Sequence, residues 1–281
     1  MTGYEIIGFS GLDEVVRQLT NTSAKTVFIN GGTDFINNNV GKAAGLVIDL
    51  SQVAELKYIR DSGSEVRIGA GTTFSAIAAS PVIRTKVIAL AQAAGRVGSV
   101  QIRNRATIGG NIASASPAGD SLPVLAAFNA GICTTGAQGS RILTVEEALT
   151  GLQDKELITE IIIPTPVLGR SGFVKIGSRS QVTIARISLA AIINYDCKSR
   201  MIINGKAALG ALGKVPVCPV NVQGFFCQRF VDERFAADLA LLLADTVDEA
   251  ITGRASHPYK KAAVRGLAYD LAGILFDACE G

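Results

Sequence analysis

The sequence lacks several residue types on which enzyme chemistry commonly depends. Its 281 residues include no tryptophan and a single histidine, His257, and aromatic residues make up 6%. With one histidine, a histidine-rich metal centre cannot be built, and a Ser-His-Asp or Cys-His mechanism would have to use that residue. We expect His257, directly before Pro258, to start a helix at the surface, and a bound cofactor to carry any chemistry.

Cysteine is present, but its spacing does not suit a metal site. The five cysteines are Cys133, Cys197, Cys218, Cys227 and Cys279, and no two of them form a C-x-x-C pair. A zinc or iron–sulfur site made by this chain alone is therefore not expected. The odd number of cysteines also argues against a framework of disulfides.

Long apolar runs and strong charge are also missing. The longest apolar runs, such as Leu239–Ala244, fall well short of the about 18 residues of a membrane-spanning helix. No secretory signal is recognised at the N-terminus, so the expected location is cytoplasmic. Charged residues make up 18% and the net charge is +3, with no basic tract of the nucleic-acid-binding type. The low fraction of charged residues fits a protein whose surface is partly covered by partners. It fits a large core rich in glycine and alanine equally well.

Glycine, in contrast, is frequent and clustered at the ends of predicted strands, with 30 residues in total. A pyrophosphate needs several backbone N–H groups at close range, and glycine permits that approach because it has no Cβ and tolerates positive φ. The first cluster, Ile-Asn-Gly-Gly-Thr-Asp at 29–34, follows a predicted strand at 25–30. It offers the Thr33 hydroxyl and the Asp34 carboxylate. The alternative is a plain Gly-Gly turn.

The second cluster, Gly69–Phe74, begins like the G-x-G-x-x-G fingerprint of dinucleotide-binding folds. Phe74 stands where the third glycine should be, and no suitable βαβ unit follows. We interpret this segment as a strand-to-helix turn with Thr72 or Thr73 as the N-cap.

The third cluster, Thr107–Asp120, contains adjacent glycines followed by small residues. Three hydroxyls, one amide and one carboxylate fall within its fourteen residues, which carry almost no bulk. A cofactor packed against the backbone would require such small residues. A tight packing motif between a helix and a sheet is the alternative.

The order of predicted elements favours an α+β protein over regular β-α alternation. A mixed region extends to about residue 170. A strand closed by proline is predicted at Leu157–Pro164, and Pro164-Thr-Pro166 after it marks a boundary. Beyond it the pattern predicts strands and then helices at Gly172–Ile176, Ile187–Tyr195, Met201–Leu212, Asp232–Ala250 and a segment that starts near Pro258.

Two further local features bear on the predicted strands and helices. Asn204-Gly205 fits either a hairpin turn or a bulge inside one strand. Pro81 is predicted to lie in the first turn of a helix that continues through Val87, Leu90 and Ala94.

The run from Gly98 to Asp120 closely resembles the signature of the FAD-binding medium subunit of molybdenum hydroxylases. This family includes xanthine dehydrogenase, carbon monoxide dehydrogenase and nicotinate dehydrogenase. The segment 29–34 resembles the family's other glycine motif, usually written A-G-G-T-D, with Asn30 in place of alanine. Weaker similarity at 46–50, 65–72, 173–179 and 256–261 extends the resemblance over nearly the whole chain.

The resemblance implies an α+β fold in which a two-part FAD-binding region precedes a further domain. The FAD-binding region, of the vanillyl-alcohol oxidase/PCMH type, would cover residues 1–170 and be split into two subdomains near residues 55–60. A C-terminal α+β domain of the CO dehydrogenase flavoprotein type would cover residues 171–281.

The resemblance also assigns cofactor-binding residues, but no catalytic residue and no metal ligand. The residues expected at the FAD diphosphate in the first motif are Phe28, Ile29, Gly31, Gly32, Thr33 and Asp34. Those expected to bind along the second motif are Thr107, Gly110, Asn111, Ala113, Ser114, Gly119 and Asp120. Those expected near the adenine are Val97, Gly98 and Ile102, and those near the isoalloxazine are Ile158 and Lys175. Solvated surface charges are the alternative for Lys175 and Arg179.

The implied function is an electron relay within a heteromeric, xanthine dehydrogenase-like molybdenum hydroxylase. A large molybdopterin-binding subunit would hydroxylate the substrate, and [2Fe-2S] centres on a small subunit would pass electrons to the FAD of this chain. NAD+ is the expected acceptor, and a dimer of heterotrimers is the expected assembly. A free-standing flavoprotein reductase or oxidase with the PCMH fold, and a scaffold that has lost FAD, are the alternatives.

Overall fold

A computed structural model describes residues 4–38, 45–167, 169–179 and 182–276 of this α+β protein, and its strands form three sheets. The strands are β1 (Tyr4–Gly8), β2 (Thr26–Ile29), β3 (Gly45–Asp49), β4 (Ile59–Asp61), β5 (Glu65–Gly69), β6 (Gly131–Gly136), β7 (Gly139–Leu143), β8 (Leu157–Pro164), β9 (Gly169–Gly177), β10 (Ala185–Asp196), β11 (Met201–Gly210) and β12 (Arg229–Phe230).

The helices differ widely in length, and many of them are single or double turns. They are α1 (Leu12–Asn21), α2 (Thr33–Asn38), α3 (Phe74–Ala79), α4 (Pro81–Lys86), α5 (Ile88–Arg96), α6 (Val100–Arg103), α7 (Ile108–Ser114), α8 (Ser121–Ala127), α9 (Val145–Gly151), α10 (Val220–Phe225), α11 (Phe235–Ile251) and α12 (His257–Phe276). None of the described helices combines the length and the apolar character that crossing a membrane requires.

The first sheet is parallel, with strand order β1-β3-β2. Helix α1 connects β1 to β2 and buries Val15 and Leu19 against a small core that includes Ile48. Strand β2 confirms the predicted strand at 25–30, and it delivers the first glycine segment at the end of this sheet.

The second sheet is antiparallel, with strand order β4-β5-β8-β6-β7. Alternate residues along β5 and β8, such as Val66, Ile68, Ile161 and Ile163, point into the core that the helices between β5 and β9 fill. The helix predicted to run on from Pro81 is two helices instead. Its first part ends at Lys86, because Val87 leaves helical geometry before α5 begins.

The third sheet is antiparallel, with strand order β12-β11-β10-β9, and α11 and α12 cover one of its faces. The apolar positions of α12, such as Val264, Leu267 and Leu271, are fully buried there. Asn204 lies inside β11, and the register of β10 shifts beside it, between Asn194 and Tyr195. The strand therefore has a bulge at this place rather than a hairpin turn.

Helix α5 joins the second and third sheets. It lies along β9, the edge strand of the third sheet, where the Ser171 hydroxyl accepts a hydrogen bond from Ala89 N at 3.1 Å. In the same contact, Phe173 N donates to Gln92 Oε1 at 2.8 Å, and the Phe173 ring belongs to the core of the second sheet. These contacts place β9 against α5, and Lys175 of the same strand reaches Asp120 at the end of the third glycine segment.

Candidate functional site

A cavity of about 300 Å³ lies where the first and third glycine segments meet. Strand β2 positions the first segment, and the turn between α6 and α7 positions the other. Thus two segments that are more than seventy residues apart in the sequence form opposite walls of one cavity. This is the arrangement that the sequence motifs predict for a shared ligand.

The two glycines of the first segment are required for different reasons. A Cβ on Gly31 would lie 2.0 Å from the carbonyl oxygen of Arg105, so no side chain fits between the two segments. Gly32 has a φ of +73°, a left-handed conformation that glycine adopts without strain. The close approach of Gly31 brings the two cavity walls together.

The two glycines of the third segment also have separate roles. The Thr107 hydroxyl caps α7 by accepting a hydrogen bond from Gly110 N at 3.2 Å. A Cβ on Gly109 would lie 2.6 Å from the Ala70 Cβ, so this glycine is needed for packing. Gly110 is exposed on the cavity wall, and a Cβ there would meet only Thr107 Oγ1, at 3.0 Å. Gly110 therefore leaves room for a ligand.

The second glycine segment supports the third one. Gly109 N donates to Ala70 O at 2.9 Å, and Ile108 N donates to Thr72 O at 3.1 Å. The Thr73 hydroxyl accepts from Ala76 N and caps α3, which confirms the predicted strand-to-helix turn. The glycines at 69–71 permit close contact with neighbouring backbone, so their similarity to a dinucleotide fingerprint has a packing explanation.

Most of the predicted binding residues line the 300 Å³ cavity. They are Phe28, Ile29, Gly31, Gly32, Thr33, Asp34, Val97, Ile102, Thr107, Gly110, Asn111, Ala113 and Ser114. Asn30, Phe74 and Ala106 also line it but were not predicted. Asn30 and Ala106 lie inside the sequence motifs, where they could have been found. Phe74 carries no such signal, because the pairing of Thr73 with Thr107 brings it there.

The remaining predicted residues lie on both sides of this cavity. Gly98 and Lys175 line a larger cavity of about 1230 Å³, and α6 separates the two. Ile158 lines a narrow cavity of about 70 Å³ that shares Phe28 and Gly110 with the central one. Ile158 and Lys175, which were predicted to lie at the same end of the cofactor, therefore line different cavities.

Lys175, which lines the large cavity, forms a buried ion pair with Asp120. Lys175 Nζ lies 2.5 Å from Asp120 Oδ2, and each side chain is only 6% exposed. The interpretation of Lys175 as a solvated charge is therefore wrong. Arg179, in contrast, is exposed and donates to Val182 O at 3.0 Å. Gly119 lies directly before Asp120 and packs beside Asn111.

The Asp120 carboxylate is an incompletely satisfied buried group. Burial raises its pKa to about 6, while the nearby Lys175 ammonium acts in the opposite direction. Its second oxygen, Oδ1, is buried and accepts no hydrogen bond from any residue that the structure describes. A buried acceptor without a donor is costly, so this atom is suited to receive a donor from a ligand.

The donors around the central cavity fit the diphosphate of the expected FAD. Among the described lining residues none is positively charged, and the polar groups are backbone amides, hydroxyls, two asparagine side chains and Asp34. Backbone N–H groups in glycine-rich turns can hold phosphates without lysine or arginine side chains. Open space beside Gly110, which lines both the central and the narrow cavity, agrees with a ligand that extends from one of these two cavities into the other.

The described residues contain no group of three histidine, cysteine or carboxylate side chains that could hold a metal ion. Cys133 and Cys218 are partly buried, whereas Cys197 and Cys227 are exposed. Cys279 lies outside the described residues. His257 is the first residue of α12, as predicted, and its Nε2 lies 2.6 Å from Asp248 Oδ1, on the preceding helix.

Comparison with known proteins gives matches over most of the chain. A family profile described as the FAD binding domain in molybdopterin dehydrogenase matches residues 4–166. The nicotinate dehydrogenase FAD-subunit of Eubacterium barkeri is 30% identical over 264 residues, which is 90% of this chain and 89% of that protein. The caffeine dehydrogenase subunit beta of Pseudomonas sp. strain CBB1 is 26% identical and covers 89% of this chain and 86% of that protein.

Solved structures share the fold. A carbon monoxide dehydrogenase chain from Hydrogenophaga pseudoflava superposes with a TM-score of 0.87, covering 98% of both chains at 20% identity. Quinoline 2-oxidoreductase from Pseudomonas putida 86 gives a TM-score of 0.86, covering 99% of this chain and 98% of that one, also at 20% identity. These superpositions confirm the predicted α+β fold of the CO dehydrogenase flavoprotein type.

Proposed function

This chain belongs to the family of FAD-binding subunits of molybdenum hydroxylases, and we propose that it holds one FAD in the central cavity, with its two ends in the large and the narrow cavities. As the FAD component of an oxidoreductase, it would contribute the cofactor that receives electrons and passes them on. One observation carries the placement: both glycine motifs, distant in sequence, border the same cavity.

The diphosphate is assigned to the central cavity. Its walls offer the backbone of Gly31 and Gly32, the Thr33 and Thr107 hydroxyls, and the open side of Gly110. Ser114 and Asn111 extend this polar wall, where the Ser114 hydroxyl donates to Asn111 O at 3.1 Å. These groups would bind and orient the cofactor by hydrogen bonds, with little need for charged side chains.

The flavin end is assigned to the large cavity and the adenine end to the narrow one. The large cavity has room for a ring system and access for electron exchange, and Lys175, which is paired with Asp120, lines it. The narrow cavity is lined by apolar residues that suit a planar base, Leu50, Leu56, Leu157 and Ile158 among them. This arrangement keeps Lys175 at the isoalloxazine, as predicted, and places Gly98 there too, but it assigns Ile158 to the adenine end. Val97 and Ile102 line the central cavity between the two ends.

We also propose the predicted domain limits for this chain. The FAD-binding region would end near residue 170, between β8 and the body of the third sheet, and the C-terminal domain would follow at 171–281. Support comes from the end of β8 at Pro164 and the start of the third sheet at Gly169. A division near 55–60 would separate the first sheet from the second, whose first strand begins at Ile59.

In the proposed complex, a large molybdopterin-binding subunit and a small [2Fe-2S] subunit are the partners of this chain. Relatives whose names identify them as FAD-subunit, subunit beta or medium chain support this assignment. Those relatives are named for nicotinate, caffeine and carbon monoxide, so the xanthine-type substrate class stays a prediction. NAD+ as the acceptor, a dimer of heterotrimers and a cytoplasmic location are likewise predictions.

The test is to purify the chain and the Gly110→Val variant and to record their visible spectra after reconstitution with FAD. The wild type should take up stoichiometric flavin, and the variant should take up none, because a branched side chain would fill the ligand side of the cavity. Circular dichroism should show a folded variant, since a Cβ at Gly110 meets only Thr107 Oγ1. A colourless wild type, or a variant with stoichiometric flavin, would overturn the proposal.

Isolation of the native complex separates the relay from a free-standing flavoprotein. Molybdenum and iron should co-purify with this chain and two partner chains, and metal analysis measures them. A flavoprotein isolated alone from its native source, with neither metal, would favour the free-standing reductase or oxidase.

A further inference from the structure

A fourth cavity, of about 460 Å³, shares no lining residue with the three cavities assigned to FAD. It lies where the end of β8, the C-terminal end of α8, the middle of β10 and β11, and α10 meet. Cavities of this size, formed between separate structural elements, commonly hold small molecules. The residues that line it are Ser64, Ala127, Phe128, Asn129, Pro164, Thr165, Pro166, Ile192, Asn194, Asn204, Gly205, Lys206, Gln223 and Cys227.

Lys206 is the only charged side chain among the described residues that line this cavity. It is partly buried, and its Nζ donates a hydrogen bond to Asn129 Oδ1. No carboxylate of the described residues forms an ion pair with it. A lysine ammonium carries three N–H donors, so two are left for a ligand. A partly buried cation without a counter-ion favours the binding of an anion.

The bulge in the third sheet places amide groups beside this lysine. Asn194 of β10 is paired with Asn204 of β11, and its Nδ2 donates to Asn204 Oδ1 at 2.8 Å. The Nδ2 group of Asn204 donates to none of the described residues. Asn204 and Lys206 are alternate residues of β11, and both line the cavity. Ammonium and amide N–H donors therefore lie on the same wall.

The rest of the cavity is largely apolar. Phe128, Pro164, Pro166 and Ile192 line it, and their side chains offer no hydrogen bond. These side chains suit the carbon body of a ligand, whereas the donors suit a charged oxygen group. No carboxylate side chain lines the cavity to attract a cation.

We propose that this cavity binds a small organic carboxylate. The Lys206 ammonium and the Asn204 amide hold the carboxylate group, and the apolar body of the ligand packs against Phe128 and Ile192. The site is separate from the FAD cavities, so the inference does not depend on the proposed function. It assigns a role to the bulge beside Asn204, which the FAD site does not use.

Benzoate and benzamide are the probes, because they share a ring and differ in charge. Isothermal titration calorimetry on the purified chain gives both Kd values. We expect benzoate to bind at least about tenfold more tightly, as charge-assisted hydrogen bonds would produce. Lys206→Met should weaken benzoate binding to the level of benzamide. Lys214→Met is the matched control: it removes an exposed lysine that does not line the cavity, so benzoate affinity should not change.

Cys227 reports on the location of the ligand, because it is exposed and lines the cavity. Iodoacetamide alkylates exposed thiols, and peptide mass spectrometry measures the rate at each cysteine. Benzoate at about ten times its Kd fills about nine-tenths of the sites, so alkylation of Cys227 should slow about tenfold. Cys197 is the internal reference, since it is exposed and lines none of the four cavities; its rate should not change.

Four results would overturn the inference. Equal affinities for benzoate and benzamide would leave Lys206 as a residue that only fixes the end of α8. Unchanged alkylation of Cys227 would place benzoate elsewhere, and release of flavin by benzoate would place it in a FAD cavity. Unreactive Cys227 in the isolated native complex would show that a partner chain covers the cavity.

The test does not depend on a single variant. If Lys206→Met does not fold, the comparison of benzoate with benzamide on the wild type still decides the outcome. A wild-type chain that binds benzoate as expected but takes up no FAD would refute the proposed function and leave this inference standing, so the two failures are distinct.

Discussion

The central cavity and the Asp120–Lys175 end of the candidate site are built in different ways. The central cavity depends on backbone packed so closely that no side chain fits between Gly31 and Arg105. The other end depends on one buried ion pair between residues that are 55 positions apart. A glycine-rich backbone turn can be recognised from a short sequence motif. A buried ion pair between distant residues can be recognised only in the folded structure. The two ends should also respond differently to mutation and to pH.

The largest expected effect comes from Gly31→Ala, which tests the central cavity. The added methyl group would lie 2.0 Å from Arg105 O, so the two walls must separate. We expect loss of FAD binding and a decrease in the free energy of unfolding of about 3 kcal/mol, at the upper end for overpacking. Urea titration and the flavin spectrum measure the two effects.

Gly266→Ala is the control for this substitution. Gly266 lies in α12 with no atom within 4 Å of a Cβ, so alanine should stabilise the helix by up to about 1 kcal/mol. Wild-type stability and flavin content in Gly31→Ala would show that the two segments are not packed as described.

A smaller effect on the free energy of unfolding is expected from a change in pH, which titrates Asp120 at the other end of the site. The folded-state pKa of Asp120, about 6, lies above the ordinary value of 3.8 because of burial, so its protonated form favours folding. The resulting stabilisation is complete below pH 3.8 and is lost as the pH rises through about 6. Relative to Asp120→Asn, the wild-type apoprotein should lose about 2–3 kcal/mol of unfolding free energy between pH 4 and 7.

Urea titrations of the two apoproteins across this pH range measure the difference. Parallel stability curves for wild type and Asp120→Asn would contradict a raised pKa at this carboxyl. In Gly31→Ala the slope of stability against pH should remain that of the wild type, because glycine has no titratable group.

The smallest effect is expected from His257→Gln, which removes an ion pair outside the candidate site. His257 and Asp248 are 23% and 33% exposed, and Lys261 also pairs with Asp248 at 2.5 Å. Exposed pairs contribute little to stability, so Tm should change by less than about 2 °C. Differential scanning calorimetry measures it. A large drop in Tm would mean that this partly exposed pair contributes as much to stability as the buried Asp120–Lys175 pair.

Much of the fold and of the central cavity could be predicted from the sequence, because the signals are local. Strand β8 has the predicted bounds, and both glycine motifs line one cavity. The confirmed family resemblance rests on the same residues. What failed depends on tertiary structure. The apolar periodicity from Pro81 onward predicts one continuous helix and gives no sign of the break at Val87. The residues near Lys175 in the sequence give no sign of the three acceptors that surround its ammonium group.

The placement of Ile158 shows the same limit. Its strand was predicted correctly, but the cavity that the residue lines depends on how β8 lies against the first sheet and the third glycine segment. Sequence motifs therefore identify which residues line a cavity more reliably than they predict which of several cavities each residue lines.

The contact between α5 and β9 also governs how this protein can meet other chains. An uncovered edge strand offers unpaired backbone groups to any passing strand and so promotes aggregation and domain exchange. Here the N–H of Phe173 is taken by Gln92, and the helix lies over that edge. The β9 edge of this sheet therefore offers no long template for strand addition, so a stable neighbour on that side would have to bind through side chains and shape rather than by extending the sheet.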